Sequence, residues 1–431
     1  PYSTPADELA QLRLEAARET FAERRQQITV LDRRARDTGV DEIRTLADLV
    51  PLMFSHTTYK SYPNSFITHG HWDRLLKWFG TLSALPVDNV DVSGVGDMDE
   101  FIDRLREAGH LAVTTSGTSG KVSFVHRTRA DEELWLAWIG NHYQWPEKVV
   151  PEQNRHYFQF NSKTGPFMQM AAGALLRSLF ARPDSTYFLI EEPYKVSTLM
   201  HAAEMRAKMA SSQATPEEIA DFEAQAKAQA AKGSARLDMI CDKIIELRNE
   251  PMVVLSNWAP MWHMVQRARA QGISDGEFHP DSIIHLGGGR KGATLPDGFE
   301  DEVRAFFGKV HMASGYNMSE QSVMNHRCEA GRYHIVPWII PLILDSTGEQ
   351  LLDHGNGVVE GRYAFLDLGL NARWGGLITG DKVKMDYGPT CECGRLGPSI
   401  IAISRYSDLG EEDKIGCAGT IDAYIRGSLG E

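Results

Sequence analysis

Residues 113–121 read Val-Thr-Thr-Ser-Gly-Thr-Ser-Gly-Lys, directly after an apolar run. Five hydroxyl side chains and two glycines lead to one cation. Such a loop offers backbone N–H groups, hydroxyl donors and an ammonium to a polyphosphate. It is not the Walker A pattern. Thr115 stands where that pattern wants its first glycine, and Val122 where it wants Ser or Thr after the lysine. The chemistry indicated is nucleotide use outside the P-loop NTPases. A polar surface loop is the alternative.

Three further clusters carry chemistry. Gly315-Tyr316-Asn317-Met318-Ser319-Glu320 follows an expected strand. At the carboxyl end of a strand an aromatic ring can cover a base, and a hydroxyl with a carboxylate can hold phosphate and Mg²⁺. The same residues could equally form a polar loop that caps a helix with Ser319 and Glu320. In Thr379-Gly380-Asp381 a carboxylate follows a glycine turn. It reads either as an Asx-turn former or as an acceptor for the two hydroxyls of a ribose. The last cluster is Cys328, His334, Cys391 and Cys393, in two turn-rich segments. Three thiolates and an imidazole make a closed tetrahedral zinc set, although Cys-x-Cys is tighter than the common Cys-x₂-Cys. The alternative is reduced, buried cysteines and a surface histidine. Such a zinc would pin a subdomain and perform no chemistry. Cys241 and Cys417 have no evident partner and read as packing residues.

Periodicity predicts the elements that must position these groups. Residues 6–36 carry apolar residues at helical spacing on a charged background, as an amphipathic helix does. A short helix at 101–108 feeds a strand at 111–113, and the phosphate loop follows. Strands are expected at 186–190, 252–255, 283–286 and 309–312, with a helix at 298–307. Strand, glycine turn, helix, strand is a βαβ pattern and implies a parallel sheet. Residues 202–247 read as a surface helical hairpin, with Thr215-Pro216-Glu217-Glu218 as a helix start. Beyond Arg332, short runs at 338–344, 357–365 and 382–385 are separated by Gly, Asp and Asn. They predict a small antiparallel barrel or sheet.

Composition bounds the function. A chain of 431 residues has ample length for a large core. Its net charge of −13 argues against nucleic acid and anionic membranes as partners. No apolar run approaches the roughly 20 residues of a membrane span. The first residues show neither a basic n-region nor an apolar h-region. Five cysteines in so long a chain make no disulfide framework, so a reducing cytoplasm is expected. A homodimer is compatible with all of this.

Residues 114–121, 287–289, 316–320, 379–381 and 405–408 occur in the order found in adenylate-forming enzymes. That superfamily holds acyl-CoA synthetases, nonribosomal adenylation domains and luciferases. The chain most resembles the phenylacetate–CoA ligase branch. Residues 41–49, Asp-Glu-Ile-Arg-Thr-Leu-Ala-Asp-Leu, and 391–398, Cys-Glu-Cys-Gly-Arg-Leu-Gly-Pro, add to that resemblance. It covers most of residues 40–410. It implies a large α/β domain over 1–404, with parallel-containing sheets flanked by helices. A small β-barrel-like subdomain at 330–400 would carry the zinc, at a site similar to those of that branch. Residues 405–431 would be a hinge into a C-terminal domain that is largely absent. That domain carries the family's adenylation-promoting lysine.

The resemblance also implies roles. Thr115, Ser116, Gly117, Thr118, Ser119, Gly120 and Lys121 would embrace the β- and γ-phosphates of ATP. Gly287, Gly288 and Gly289 would line the adenine face, and Tyr316 would stack on it. Ser319 would touch the α-phosphate and Glu320 would bind Mg²⁺. Asp381 would hold the ribose hydroxyls, with Arg405 nearby. Asn317 departs from the family's usual glycine after the tyrosine, and the hinge carries extra residues. The acid pocket would lie near residues 157–166 and 256–260. There Phe158, Phe160 and Trp258 could wall a flat ring, or serve as strand core. Lys163 or His263 could pair with an anionic substrate group, or be solvated surface.

The activity implied is ATP-dependent activation of a carboxylic acid, aryl by preference. Transfer to CoA or a carrier-protein thiol would follow. One alternative keeps the adenylate but changes the acceptor or the acid, to an amine, a protein side chain or an inorganic acid such as nitrite. Another is a non-catalytic nucleotide-binding module, against which Lys121, Glu320 and Asp381 argue.

Overall fold

The computed structural model describes residues 2–114, 121–143, 145, 148–288, 294–406, 415 and 423–425. The described residues form a mixed α/β protein with several sheets. Within the span expected as one large domain, two compact units separate. One combines the residues before 136 with those from 316 onward, and the other lies within 136–315.

The first unit opens with α1 (Ala6–Gln27) and α2 (Thr29–Thr38). The single helix expected over 6–36 is therefore two. Ile28 between them is extended at φ −114° and ψ 102°. It opens a β-branched run, Ile28-Thr29-Val30, whose side chains are stiff at χ1 and weaken a helix. Buried Arg13 on α1 donates to the carbonyls of Val336, Pro337 and Ile339 at 2.7–3.1 Å, tying the helix to the far end of the sequence. The short strand β1 (Phe54–Ser55) follows, then α3 (Asn64–Thr68), α4 (Trp72–Thr81) and α5 (Met98–Glu107). Asp97 caps α5, its side chain accepting from the Glu100 N–H at 2.9 Å. The hairpin β2 (His110–Thr114) and β3 (Phe124–Thr128) brackets the phosphate-loop residues. Residues 115–120 lie outside the described residues. α6 (Arg129–His142) leads into the second unit.

The second unit is built on β4 (Arg155–Ser162), β5 (Ala181–Ile190), β6 (Met252–Asn257), β7 (Ile283–Gly287) and β8 (His311–Ala313). These form one sheet in the order β5-β4-β6-β7-β8, and every pair is parallel. Helices α7 (Met168–Phe180), α8 (Val196–Ala210), α9 (Pro216–Glu246), α10 (Trp258–Ala270) and α11 (Phe299–Phe307) connect the strands. Central strands of such a sheet are buried on both faces, which is why β6 begins as an apolar run. Val254, Ile284, Leu286, Ile244, Met261, Val265, Val303 and Phe306 form part of its core. The helix start at Thr215 is a full capping box: Glu218 N–H donates to Thr215 Oγ1 at 3.2 Å, and Thr215 N–H to Glu218 Oε2 at 2.8 Å.

The chain returns to the first unit through the short pair β9 (Gly315–Tyr316) and β10 (Asn325–His326), then β11 (Tyr333–His334). β12 (Ile339–Leu344), β13 (Val358–Asp367), β14 (Gly376–Asp386) and β15 (Ser399–Arg405) complete a sheet in the order β11-β15-β14-β13-β12. These pairs are antiparallel, as the spacing predicts. The sheet is larger than expected, because β1 adds in parallel to β14, Phe54 opposite Leu377. A two-residue strand some 320 positions upstream has no periodicity to betray it. Among the described residues no helix is long and apolar enough to cross a membrane.

Candidate metal centre and nucleotide-site residues

Two turns of the first unit share the sequence Cys-Glu-x-Gly-Arg, at 328–332 and 391–395. They also share a backbone. The N–H of Cys328 donates to the Arg332 carbonyl and the N–H of Gly331 to the Cys328 carbonyl, both at 2.9 Å. Cys391, Arg395 and Gly394 repeat these bonds at the same lengths. Gly331 and Gly394 supply the left-handed conformation each turn needs, at φ 78° and 83°. The turns face each other through reciprocal ion pairs. Arg332 meets Glu392 at 3.0 Å, and Arg395 meets Glu329 at 3.0 Å. Arg332 also donates to Asp386.

Within this frame the four expected ligands come together. The sulfur atoms of Cys328, Cys391 and Cys393 and a ring nitrogen of His334 all lie within 4.8 Å of one another. Cys328 Sγ is 4.0 Å from Cys391 Sγ, and Cys393 Sγ is 3.3 Å from His334 Nε2. Zn–S and Zn–N bonds of about 2.3 and 2.0 Å at tetrahedral angles call for separations of about 3.5–3.8 Å, so a small relaxation admits the ion. His334 is set by pairing with Ser399 in the sheet, and the Tyr2 ring packs edge-on against it at 5.5 Å. Burial and the neighbouring Arg395 pull the His334 imidazole down to about 4, so it is neutral as a ligand must be. Burial pushes the Cys391 thiol up to about 11. For Cys393 burial also acts upward, but hydrogen bonds from Arg395 and the adjoining thiols outweigh it and lower the value. The cluster can hold a metal such as zinc. The turn repeat and its arginine–glutamate pairs are what sequence reasoning misses; a five-residue repeat is short, and only its superposed hydrogen bonds reveal it.

A second group of expected residues also lies in the first unit. The Tyr316 hydroxyl donates to Asp381 Oδ2 at 2.6 Å. Asp381 lies in β14 directly opposite Arg405 in β15, and Arg405 Nε is 3.5 Å from Asp381 Oδ1. Burial first, then the Asp381 charge, pushes the Tyr316 hydroxyl far above its ordinary range, so it stays protonated as the donor. Residues 317–324 form turns and no helix, so the capping alternative for Ser319 and Glu320 does not apply. Glu320 is buried, and burial raises its carboxyl above the usual range against the pull of Arg373 and Arg127.

Two fully buried arginines hold this turn. Arg127 Nη2 donates to the carbonyls of Ser319, at 3.1 Å, and Gln321. Arg373 donates to the Glu320 carbonyl and, at 2.7 Å, to the Tyr59 hydroxyl. Asp367 takes the Ser322 N–H at 2.6 Å and its hydroxyl at 2.8 Å. Lys121 donates to the Tyr62 carbonyl and lies over the Tyr62 ring at 4.4 Å. None of Arg127, Arg373 and Tyr62 is a sequence-predicted site residue.

In the second unit, Gly287 ends β7 and Gly288 follows it at φ 73°; Gly289 lies outside the described residues. Phe158 and Phe160 on β4 and Trp258 at the start of α10 all belong to the hydrophobic core, as the core alternative expects. Phe158 stacks on Tyr187 at 4.8 Å, and Trp258 meets Phe299 edge-on at 5.7 Å. His263 pairs with Asp238 at 2.8 Å. Cys241 is packed in the same core, and Cys417 lies outside the described residues. No protein-family model matches the chain, and no curated protein matches it.

Proposed function

We propose that the protein is an adenylate-forming ligase of the acyl-CoA synthetase kind. A carboxylate oxygen of the acid attacks the α-phosphorus of ATP, the α–β anhydride bond breaks, and pyrophosphate leaves. A thiol, of CoA or a carrier protein, then takes the acyl group and AMP departs. The observation that carries this reading is the convergence of Tyr316, Asp381 and Arg405 beside the turn that holds Ser319 and Glu320.

The parts suit the chemistry. Attack of one anion on another is slow unless charge is neutralised where it develops. Glu320, buried and with its ionisation opposed by burial, is poised to gain from a divalent cation such as Mg²⁺. Asp381 can accept from ribose hydroxyls, with Tyr316 and Arg405 fixing its orientation. Lys121 supplies a cation at the end of the phosphate-loop sequence. Little proton transfer is needed, so no Ser-His-Asp arrangement is required. The metal centre is structural in this reading, since four protein ligands leave no open position.

The test is pyrophosphate release from ATP and Mg²⁺ across aryl, aliphatic, amino and inorganic acids, with and without CoA. Release with one class of acid, followed by CoA-dependent AMP formation, is expected. Release without any response to CoA would move the acceptor to an amine or protein group. No release with any acid would overturn the reading.

A further inference from the structure

In the second unit a cavity of about 280 Å³ opens between α7 and the edge strand β5. Its lining includes Gln153, Lys163, Arg177, Ser178, Thr186 and Phe188, and no carboxylate. Lys163 Nζ lies 5.2 Å from the centre of the Phe188 ring, and the Arg177 guanidinium carbon lies 5.4 Å from it. Two cations therefore converge on one aromatic ring, and neither has a carboxylate partner among the described residues. Arg177 Nη1 is also shielded from solvent and has no hydrogen-bond acceptor. A buried guanidinium N–H without an acceptor is costly, and two like charges over one ring repel. Both costs vanish if an anion enters.

We infer that this cavity binds the phosphate group of a small phosphomonoester. Two unpaired cations match a dianion better than a single-charged carboxylate. The planar fork of Arg177 suits two phosphate oxygens, and the Lys163 ammonium a third. The volume is just under the roughly 300–1,000 Å³ of ordinary small-molecule pockets, enough for a phosphate and a few further atoms. The Phe188 ring offers those atoms an apolar wall. None of these residues belongs to the metal centre or to the Tyr316–Asp381 group, and the inference does not rest on the adenylation reading.

Calorimetric titration of the whole protein with orthophosphate, glycerol phosphate and acetate tests it. Saturable millimolar or tighter binding of the phosphates, and not of acetate, is expected. Glycerol phosphate binding tighter than orthophosphate identifies an ester as the occupant; equal affinity identifies free phosphate. Lys163→Gln and Arg177→Gln should each weaken binding about tenfold or more, since each removes a charge-assisted contact. Asp381→Asn should leave it unchanged. Circular dichroism checks that each variant is folded. Absence of saturable phosphate binding to the wild type, or unchanged affinity in the folded Lys163→Gln, Arg177→Gln double variant, would overturn the proposal.

Discussion

The hydroxyl of Tyr316 and the carboxylate of Asp381 are joined by a 2.6 Å hydrogen bond across 65 positions of sequence. Asp381 also faces Arg405, so one carboxylate is oriented from two sides. In Asp381→Ala the acceptor is lost to both partners. Pyrophosphate release should fall at least about 100-fold, as when an oriented charge is removed from an active site. Tyr316→Phe should keep part of the activity and cost about 1 kcal/mol of stability, the worth of one hydrogen bond. Near-wild-type turnover in Asp381→Ala would remove this residue from the site.

The metal centre predicts about one zinc per chain by elemental analysis. Cys391→Ser should lose the metal and unfold the first unit at markedly lower temperature, because metal binding to a structural site is folding free energy. Glu392→Gln should matter little, since its side chain is 77% exposed and such pairs contribute under about 1 kcal/mol. Arg332→Ala, which also releases Asp386, should lower zinc retention against a chelator by about tenfold or more. A folded protein that carries no metal after growth in zinc would reject the centre.

Arg127 and Arg373 act on the site through backbone carbonyls. Arg127→Met removes donors to Ser319 and Gln321 and should cost about 3 kcal/mol, the scale of hydrogen bonds from a charged group. Measured where the variant is still folded, pyrophosphate release should drop while zinc content stays intact. Unchanged kinetics in the folded variant would make Arg127 a purely structural residue.

His126 makes stability depend on pH. Its ring contacts His110 at 3.1 Å, and burial, with help from His110 and Arg373, pulls it down to about 3. In the unfolded chain it titrates near about 6.5. Between these values the unfolded state binds a proton that the folded state refuses. Stability is therefore complete above about pH 6.5 and falls as pH drops toward 3, by up to about 1.4 kcal/mol per pH unit. Urea denaturation at pH 7, 5.5 and 4.5 should show this loss, and His126→Gln should flatten it. Equal slopes in the two proteins would exclude His126 as the source.

How far the sequence carries depends on whether a signal is local. The Thr215 capping box spans four residues and is readable as written. Strands at 252–257 and 283–287 announce themselves by apolar runs after turns. The four candidate metal ligands are readable because thiolates and imidazole name their own chemistry, although only the fold brings residue 328 to 391. Arg127 is different. It looks like any arginine on a hairpin, and its partners are carbonyl groups 192 and 194 positions away, which carry no side-chain identity. Phe158 and Phe160 are a milder case. Their alternation suits a core strand more often than a pocket wall, and their burial in the core agrees with it.

The chain enters the first unit, leaves it before residue 136 and returns only at residue 316. During synthesis this order has a cost. β1 must wait for β14 to emerge, and Arg13 for the carbonyls at 336–339. The second unit is complete much earlier and can fold on the ribosome while the amino-terminal helices remain without their sheet. Those helices stay open to chaperones and proteases in the meantime, and slow translation beyond residue 316 would prolong that exposure.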